Sequence, residues 1–555
     1  MTKIAFLHPE LRIGGAERLV IDAAQGLQKE GYKIEMFTSH LDKKNCYKEV
    51  RDGTLAVHKY GSWIPRQIFG KFQTFLAIIR AIYLSIIVVF SSWFSKKKRF
   101  DFYFCDQVSV YIPLLRLTGK KIIFYCHFPD LLLTQSRDGI FKKIYRFPLD
   151  LLEKICIKFA HVILVNSKFT KSKFQEVFTS SKKIPQVLYP SINLKAYESK
   201  KLNENQNEKN QNEKNQNEKI QNLKSKIPKN AKVVLSINRF ERKKNITLAL
   251  NAFSLVQQKK EQEKINQDFM LIIAGGFDKK IKENVEYLKE LEELAEKNGI
   301  KESILFVPSF TEEERSFLLS RSCCVVYTPS NEHFGIVPLE AMFAGCPVVG
   351  VNSGGPLETI IDGETGFLSQ PDPKDFSQKL WKILTDDDLR NQMKSKGPDH
   401  VRQNFSLEIF SQKLSNIIKD MIQNQKSEKK KKQKHINQKF KIPNIKKIPY
   451  KNVVSFCSRK LNLEENQIYF LNQNIPIKEK EIFYESINEI ESSIFFPDKT
   501  ILLSLIILQL RVKLSNFNPY PYGYFDKKDD YDIFPKLFQK FKYFCNDSNF
   551  NSNRI

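Results

Sequence analysis

Two stretches of this chain alternate short apolar runs with amphipathic helices, and a tract unable to bury a core separates them. In the first stretch Ile4 to Leu7 reads as a strand and His8 to Gly15 as a loop. Ala16 to Glu30 reads as a helix, with Leu19, Val20, Ala23, Ala24 and Leu27 at helical spacing and Gly31 as its stop. Further strands are predicted at Lys33 to Thr38, Val57 to Tyr60, Phe102 to Cys105, Ile122 to Cys126 and Val162 to Val165. The alternation restarts at strand Val233 to Asn238. It continues through helix Thr247 to Gln257, strand Phe269 to Ala274, helix Asn284 to Lys297, strand Ile304 to Val307, helix Glu312 to Ser320 and strand Cys324 to Tyr327. Strands alternating with helices imply parallel sheets. At 555 residues the chain exceeds one compact core, so the pattern predicts two α/β domains with extensions.

The separating tract, residues 203–222, reads NENQNEKNQNEKNQNEKIQN and is predicted to be a solvated insertion where an inter-domain linker belongs. After about residue 423 the order changes again. Lys429 to Lys432 is a charge run, and the remainder is rich in Lys, Asn and Phe without βα order. The organisation is therefore an N-terminal domain over 1–200, a linker over 201–228, a C-terminal domain with a return helix (Leu407 to Gln423) over 229–422, and a basic extension over 423–555 whose role the sequence does not assign.

The net charge of +27 admits three causes: nucleic-acid binding, an anionic membrane face with phosphorylated substrates, or a general Lys and Asn bias. Basic residues are spread along the chain and no nucleic-acid motif accompanies them, which favours the bias and speaks against a nucleic-acid partner. Nine cysteines include no C-x-x-C pair, so zinc-type spacing is absent and reduced, buried, cytosol-facing thiols are expected. The N-terminus runs directly into an apolar strand, and no cleavable signal peptide is predicted.

Phe72 to Phe94 carries one charge, Arg80, is followed by Lys96-Lys97-Lys98-Arg99, and is long enough to span a bilayer. A single crossing would place the strands at 57–60 and 102–105 on opposite sides, although both belong in one sheet. An interfacial or re-entrant helix with the basic run at the head groups is therefore favoured, the alternative being a buried helix of the domain. A second apolar stretch, Ile501 to Leu510, is too short to span alone.

Chemistry concentrates in SNEHFGIVPLEAMFAGCPVVGVNSGGPLETIIDGETGFL, residues 330–368. Glu332 and Glu340 stand eight apart, Pro338 suits the first position of a helix and Gly345 its stop. Glu332 then lies in the loop before the helix and Glu340 in its first turn, where free amides suit a phosphate. Gly354-Gly355-Pro356 repeats the arrangement at the next strand-to-helix turn. Two carboxylates for sugar hydroxyls beside amides for a diphosphate suit a nucleotide sugar. INRFERKKN, residues 237–245, adds cations, and HPELRIGGAERLV contributes Gly14, Gly15 and Glu17 at a helix start. FYCHFPD places His127 after a buried strand, with Asp130 just beyond, and VNSKFTK follows at 165–171.

These strings resemble the family 4 glycosyltransferases, whose E-x7-E motif is matched by NEHFGIVPLEAM together with the G-G-x-x-E and D-G-x-T-G-F-L elements. Together HPELRIGGAERLVIDAA, YCHFPDLLL, INRFERKKN and NEHFGIVPLEAM resemble the subfamily of α-1,3/1,6-mannosyltransferases of the dolichol-linked pathway, over roughly residues 1 to 422. The resemblance implies a GT-B fold, two doubly wound Rossmann-like domains facing across a cleft, with a membrane-associated helix in the first. It implies a retaining transfer of mannose from GDP-mannose to dolichol-diphosphate-linked Man1GlcNAc2, first α-1,3 and then α-1,6, at the cytosolic face of the endoplasmic reticulum membrane, beside other enzymes of the same pathway.

By the same resemblance Arg239 and Lys244 form the diphosphate clamp, with Lys243 a substitute because Asn245 stands where a glycine is common. Glu332 orients the donor sugar, Glu340 holds the ribose, and Gly15, His333, Phe334, Gly335 and Ile336 complete the donor site. His127 stabilises the developing positive sugar or its 6-hydroxyl, and Gly14, Glu17 and Asp130 lie on the acceptor side. No metal or other cofactor is expected, since cations and helix amides take that role; the D-x-D at Asp530 and Asp532 reads as incidental. Rival readings are a relative with another acceptor or a UDP-sugar donor, a non-catalytic scaffold of the same complex, and a nucleic-acid-binding protein.

Overall fold

The structure, a computed structural model, describes residues 1–68, 72–95, 99–133, 140–192, 194 and 211–439. Seven strands form the first sheet: β1 (Lys3–Leu11), β2 (Lys33–Leu41), β3 (Val57–Lys59), β4 (Phe102–Asp106), β5 (Lys121–Cys126), β6 (Val162–Val165) and β7 (Gln186–Val187), in the order β3-β2-β1-β4-β5-β6-β7. Six form the second: β8 (Lys232–Ile237), β9 (Phe269–Gly275), β10 (Ile304–Pro308), β11 (Ser322–Tyr327), β12 (Val348–Val351) and β13 (Gly366–Ser369), in the order β10-β9-β8-β11-β12-β13. Their ladders are parallel. β4 and β9 are buried at every residue, as strands covered by helices on both faces must be. These are the two doubly wound domains that the sequence predicts.

In each sheet the strand order reverses once, between β1 and β4 and between β8 and β11. Connections leave such a point toward opposite faces of the sheet, and a crevice opens beyond the strand carboxyl ends. The segments after β1, β4, β8 and β11 therefore meet in two crevices, and those segments hold most of the residues singled out above.

Several boundaries differ from the expectations. β1 runs to Leu11 because β2 pairs along its whole length, so His8 is a buried strand residue and not part of a loop. The helix carrying Glu340 is Ile336–Phe343. It starts at Gly335, whose φ of 80° makes the entry turn, so Pro338 is its third residue and Glu340 its fifth, in the second turn and not the first. Proline is tolerated there because the first helical amides lack intrahelical acceptors in any case. The second half of the Asn-rich tract is helical, within Gln211–Ser225, and Leu223 and Ile227 beyond the repeat join the second domain's core.

The return helix is Leu407–Lys439, longer than predicted and continuous through residue 423. Leu407, Phe410, Leu414, Ile418 and Met421 pack into the first domain's core with Val20, Ala24 and Leu27. Gly26 allows the approach, since a Cβ there would fall 1.9 Å from Ser411 Oγ.

The apolar stretch forms helix Gln73–Phe94, which by length and composition alone suffices to cross a membrane. Ala81, Leu84, Val88 and Val89 pack with Phe37, Phe100 and Tyr103 of the sheet region, while Phe75, Ile86, Phe90 and Phe94 face outward. The helix is thus a domain helix on one side and an apolar surface on the other. Cys46, Cys105, Cys126, Cys156, Cys324 and Cys346 are buried free thiols and Cys323 is half-buried. Cys457, Cys545, Ile501 to Leu510, Asp530, Asp532 and Lys96-Lys97-Lys98 lie outside the described residues.

Candidate active site

β8 ends on a basic loop. Arg242–Lys244 forms one turn of 3-10 helix, and Asn245 follows in the left-handed region at φ 49°, a conformation that Asn tolerates where Gly is usual. The turn aims the two lysines apart. Lys244 Nζ lies 2.6 Å from Glu332 Oε2 and is largely buried, whereas Lys243 is half exposed and 3.1 Å from Glu241. Arg239 also pairs with Glu241, at 2.8 Å, leaving much of its guanidinium in solvent. Thr328 Oγ1 donates to the Lys244 carbonyl at 2.8 Å and ties this loop to the end of β11.

Glu332 sits in the loop between β11 and helix Ile336–Phe343, as expected. Gly354-Gly355-Pro356 forms the next strand-to-helix turn, as expected, with Pro356 opening a short helix, but the Gly355 amide is already engaged. Gly355 N–H donates to the Glu332 carbonyl at 2.8 Å. A Cβ on Gly354 would lie 2.5 Å from that carbonyl, and one on Gly355 would lie 2.0 Å from the Phe334 carbonyl. The glycines therefore seat the Glu332 loop by close backbone packing. Glu340 is buried and paired with Arg315, which comes from the helix Glu312–Arg321. Burial holds His333 below the usual histidine range; Glu332 opposes this, and Lys244 and His127 reinforce it.

At the first crevice the carboxyl ends of β1 and β4 place two side chains the sequence reading did not select. Asp106 accepts from His8 Nδ1 at 2.7 Å and from His127 Nε2 at 2.9 Å. Burial alone would raise Asp106, yet the charge and hydrogen bonds of His127 and His8 prevail and hold it at about 2. An ionised carboxylate accepts, so it orients the His127 ring by its Nε2–H. Glu17 lies in the first turn of Gly15–Lys29, its carboxylate folded against Gly14. Asp130 pairs with Arg146 at 2.9 Å, while Glu153 accepts from the amides of Asp130 and Leu131 at 3.0 and 3.1 Å.

The two domains touch across the cleft. Phe128 stacks on His333 with centroids 3.7 Å apart and planes 7° from parallel. Glu358 reaches from the second domain to the first, accepting from the amides of Lys168 and Phe169 at 2.7 and 2.9 Å. Those are the first amides of helix Lys168–Val177, so the carboxylate caps a helix of the opposite domain. A cavity of about 730 Å³ opens beside His127, Phe128 and His333 and extends into the first domain to Arg12, Arg66 and Arg80.

Lys244, Glu332, His333 and His127 are thus gathered at one cleft, while Arg239 is held beside Glu241 and Glu340 is buried against Arg315. His8 and Asp106 went unselected because their partnership exists only through strand order. The signal was available once β1 and β4 are adjacent, since register pairs Leu7 with Cys105 and sets His8 beside Asp106.

The chain matches the model described as Glycosyltransferase Family 4 over residues 13–196 and that described as Glycosyl transferases group 1 over 217–400. Alpha-1,3/1,6-mannosyltransferase ALG2 of Dictyostelium discoideum is 44% identical over 423 residues, 75% of this chain and 98% of that protein. Its counterpart of the same name from Homo sapiens is 42% identical over 428 residues, 76% of this chain and 96% of that protein. Among solved structures, sucrose-phosphate synthase from Thermosynechococcus elongatus superposes with a TM-score of 0.56 at 18% identity, covering 76% of this chain and 100% of its own. WaaG, a glycosyltransferase of lipopolysaccharide biosynthesis, does so with 0.51 at 16% identity, covering 75% and 99%. At those identities the likeness concerns the fold.

Proposed function

The chain belongs to the α-1,3/1,6-mannosyltransferase family of GT-B glycosyltransferases, and from that premise we propose that it moves mannose from GDP-mannose to dolichol-diphosphate-linked Man1GlcNAc2, first α-1,3 and then α-1,6. We infer that it works at the endoplasmic reticulum membrane, on its cytosolic side, beside other enzymes of the same pathway. The observation that carries this reading is the Lys244–Glu332 contact beside the helix start at Ile336, facing His127 across a closed cleft.

Transfer with retention proceeds on one face of the sugar. The bond from the anomeric carbon to the diphosphate breaks as the bond to the acceptor hydroxyl forms, and the hydroxyl proton leaves with the departing diphosphate oxygen. Arg239 and Lys244 offset the charge that grows on that oxygen. No metal is required in this scheme, because two cations and helix amides stand where the diphosphate departs. Glu332 orients the donor sugar and is itself oriented by Lys244. Glu340, fixed by Arg315, holds the ribose. His127, held by Asp106, stabilises the positive charge that develops on the sugar ring or binds its 6-hydroxyl.

The test uses full-length protein in lipid nanodiscs with a short lipid-diphosphate Man1GlcNAc2 acceptor, a chelator, and either GDP-mannose or UDP-sugars. Addition of two hexoses with GDP-mannose alone is the expected result. Transfer from a UDP-sugar would overturn the donor assignment, and loss of transfer under chelation would overturn metal independence.

A further inference from the structure

Arg80 is the only charge in the 22 residues of helix Gln73–Phe94. It is 6% exposed, and among the described residues its Nε and Nη1 have no hydrogen-bond partner. A buried guanidinium without its hydrogen bonds is costly, and an ionisable group in an apolar helix is usually held there by what it binds. Arg80 lines the same cavity as His127, and Arg66 and Arg12 line it too. Among the described residues a single carboxylate stands among the three arginines: Glu10, paired with Arg12 at 3.3 Å and also with Arg66. Among the described residues, three cations against that one anion leave two positive charges uncompensated. Of the cavity's other acids, Asp130 is paired with Arg146, and Glu153 accepts from two backbone amides while burial pushes it up to about 7, so that it adds charge only above that pH.

The surroundings of that cavity decide what brings the negative charge. Phe75, Phe90 and Phe94 are exposed on the apolar helix, and Phe147 and Leu151 on the neighbouring helix Ile140–Ile157. Tyr145 joins the two, through its ring against Phe72 and its hydroxyl 3.3 Å from the Phe75 amide. An anion lodged at Arg80 thus sits between a sugar-transfer cleft and an outward apolar surface.

We propose that Arg80, supported by Arg66 and Arg12, is the subsite for the diphosphate of the lipid-linked acceptor, whose glycan reaches His127 and whose lipid leaves along the apolar faces of the two helices. The assignment rests on the acceptor being a lipid diphosphate, as inferred above. The planar guanidinium offers paired donors to phosphate oxygens, and the cavity supplies the dehydrated setting in which they count most.

Direct binding separates this from the acceptor reading itself. Calorimetric titration of full-length protein in nanodiscs uses three probes: farnesyl diphosphate, farnesol and inorganic diphosphate. Farnesyl diphosphate is expected to bind tightest, and Arg80→Met to weaken it about tenfold or more with farnesol unaffected. Arg80→Met removes an unpaired buried charge with a side chain of similar length, so its melting temperature is expected to equal or exceed that of wild type. Arg66→Ala, at a half-exposed position, is the second variant and should weaken the same probe. Arg80-dependent binding in a protein that does not glycosylate Man1GlcNAc2-lipid would support the subsite while the acceptor reading fails. Inorganic diphosphate binding as tightly as farnesyl diphosphate, or Arg80→Met raising the KM for GDP-mannose as much as it weakens farnesyl diphosphate, would overturn the proposal.

Discussion

Lys244 Nζ lies 2.6 Å from Glu332 Oε2, a contact made between residues 88 positions apart. The neighbouring Lys243 instead turns outward to Glu241. Lys244→Ala is therefore expected to lower kcat/KM by a hundredfold or so and Lys243→Ala by no more than about threefold, because only Lys244 is held against Glu332 at the proposed diphosphate site. Steady-state kinetics with GDP-mannose checks it, and a larger loss from Lys243→Ala would reverse the assignment.

Glu332→Ala should reduce turnover at least about tenfold. In combination with Lys244→Ala the losses should fall well short of multiplying, since each variant already breaks the same pair. A double-mutant cycle measures this. Wild-type turnover in Glu332→Ala would remove that residue from the mechanism.

Asp106 is fully buried between His8 and His127. Asp106→Asn loses charge-assisted hydrogen bonds to both rings, each worth about 1.5–3 kcal/mol. We expect kcat to fall tenfold or more with the KM for the donor nearly unchanged, because His127 is misoriented and the nucleotide site is not. A kcat within twofold of wild type would show that Asp106 is structural only.

Glu358 caps a helix that belongs to the other domain, so its loss should loosen the closed cleft by about 0.5–2 kcal/mol without unfolding either sheet. Small-angle scattering should record a larger radius of gyration for Glu358→Ala. Thermal melting should be near wild type and kcat/KM several-fold lower. An unchanged radius with unchanged kcat/KM would mean that the cap does not govern closure.

Burial pushes Glu153 up to about 7; the amides of Asp130 and Leu131 favour its ionised form, and Asp130 and Asp150 oppose it. Arg146 pairs with both aspartates. Since Glu153 lines the acceptor cavity, it is mostly neutral below pH 7 and adds a negative charge above it. The KM for a diphosphate-linked acceptor should therefore rise several-fold between pH 6 and 8, and Glu153→Gln should flatten the profile. A wild-type KM that falls over the same range would contradict the sign of this effect.

The sequence by itself determined the fold class, because alternation of apolar strands with amphipathic helices leaves a parallel sheet as the way to bury them, and it singled out candidate site residues, because E-x7-E and the basic loop are contiguous strings. It also brought out Arg80, an isolated charge in an apolar helix, without saying what that charge faces. Tertiary structure alone decided pairings between distant residues. Strand order set His8 beside Asp106, and the turn at Arg242–Lys244 chose Lys244 over Lys243. Inter-domain closure brought Glu358 to the helix at Lys168. Periodicity reports which face of one element is apolar, whereas these contacts depend on which elements become neighbours, and that is fixed by packing across the whole chain.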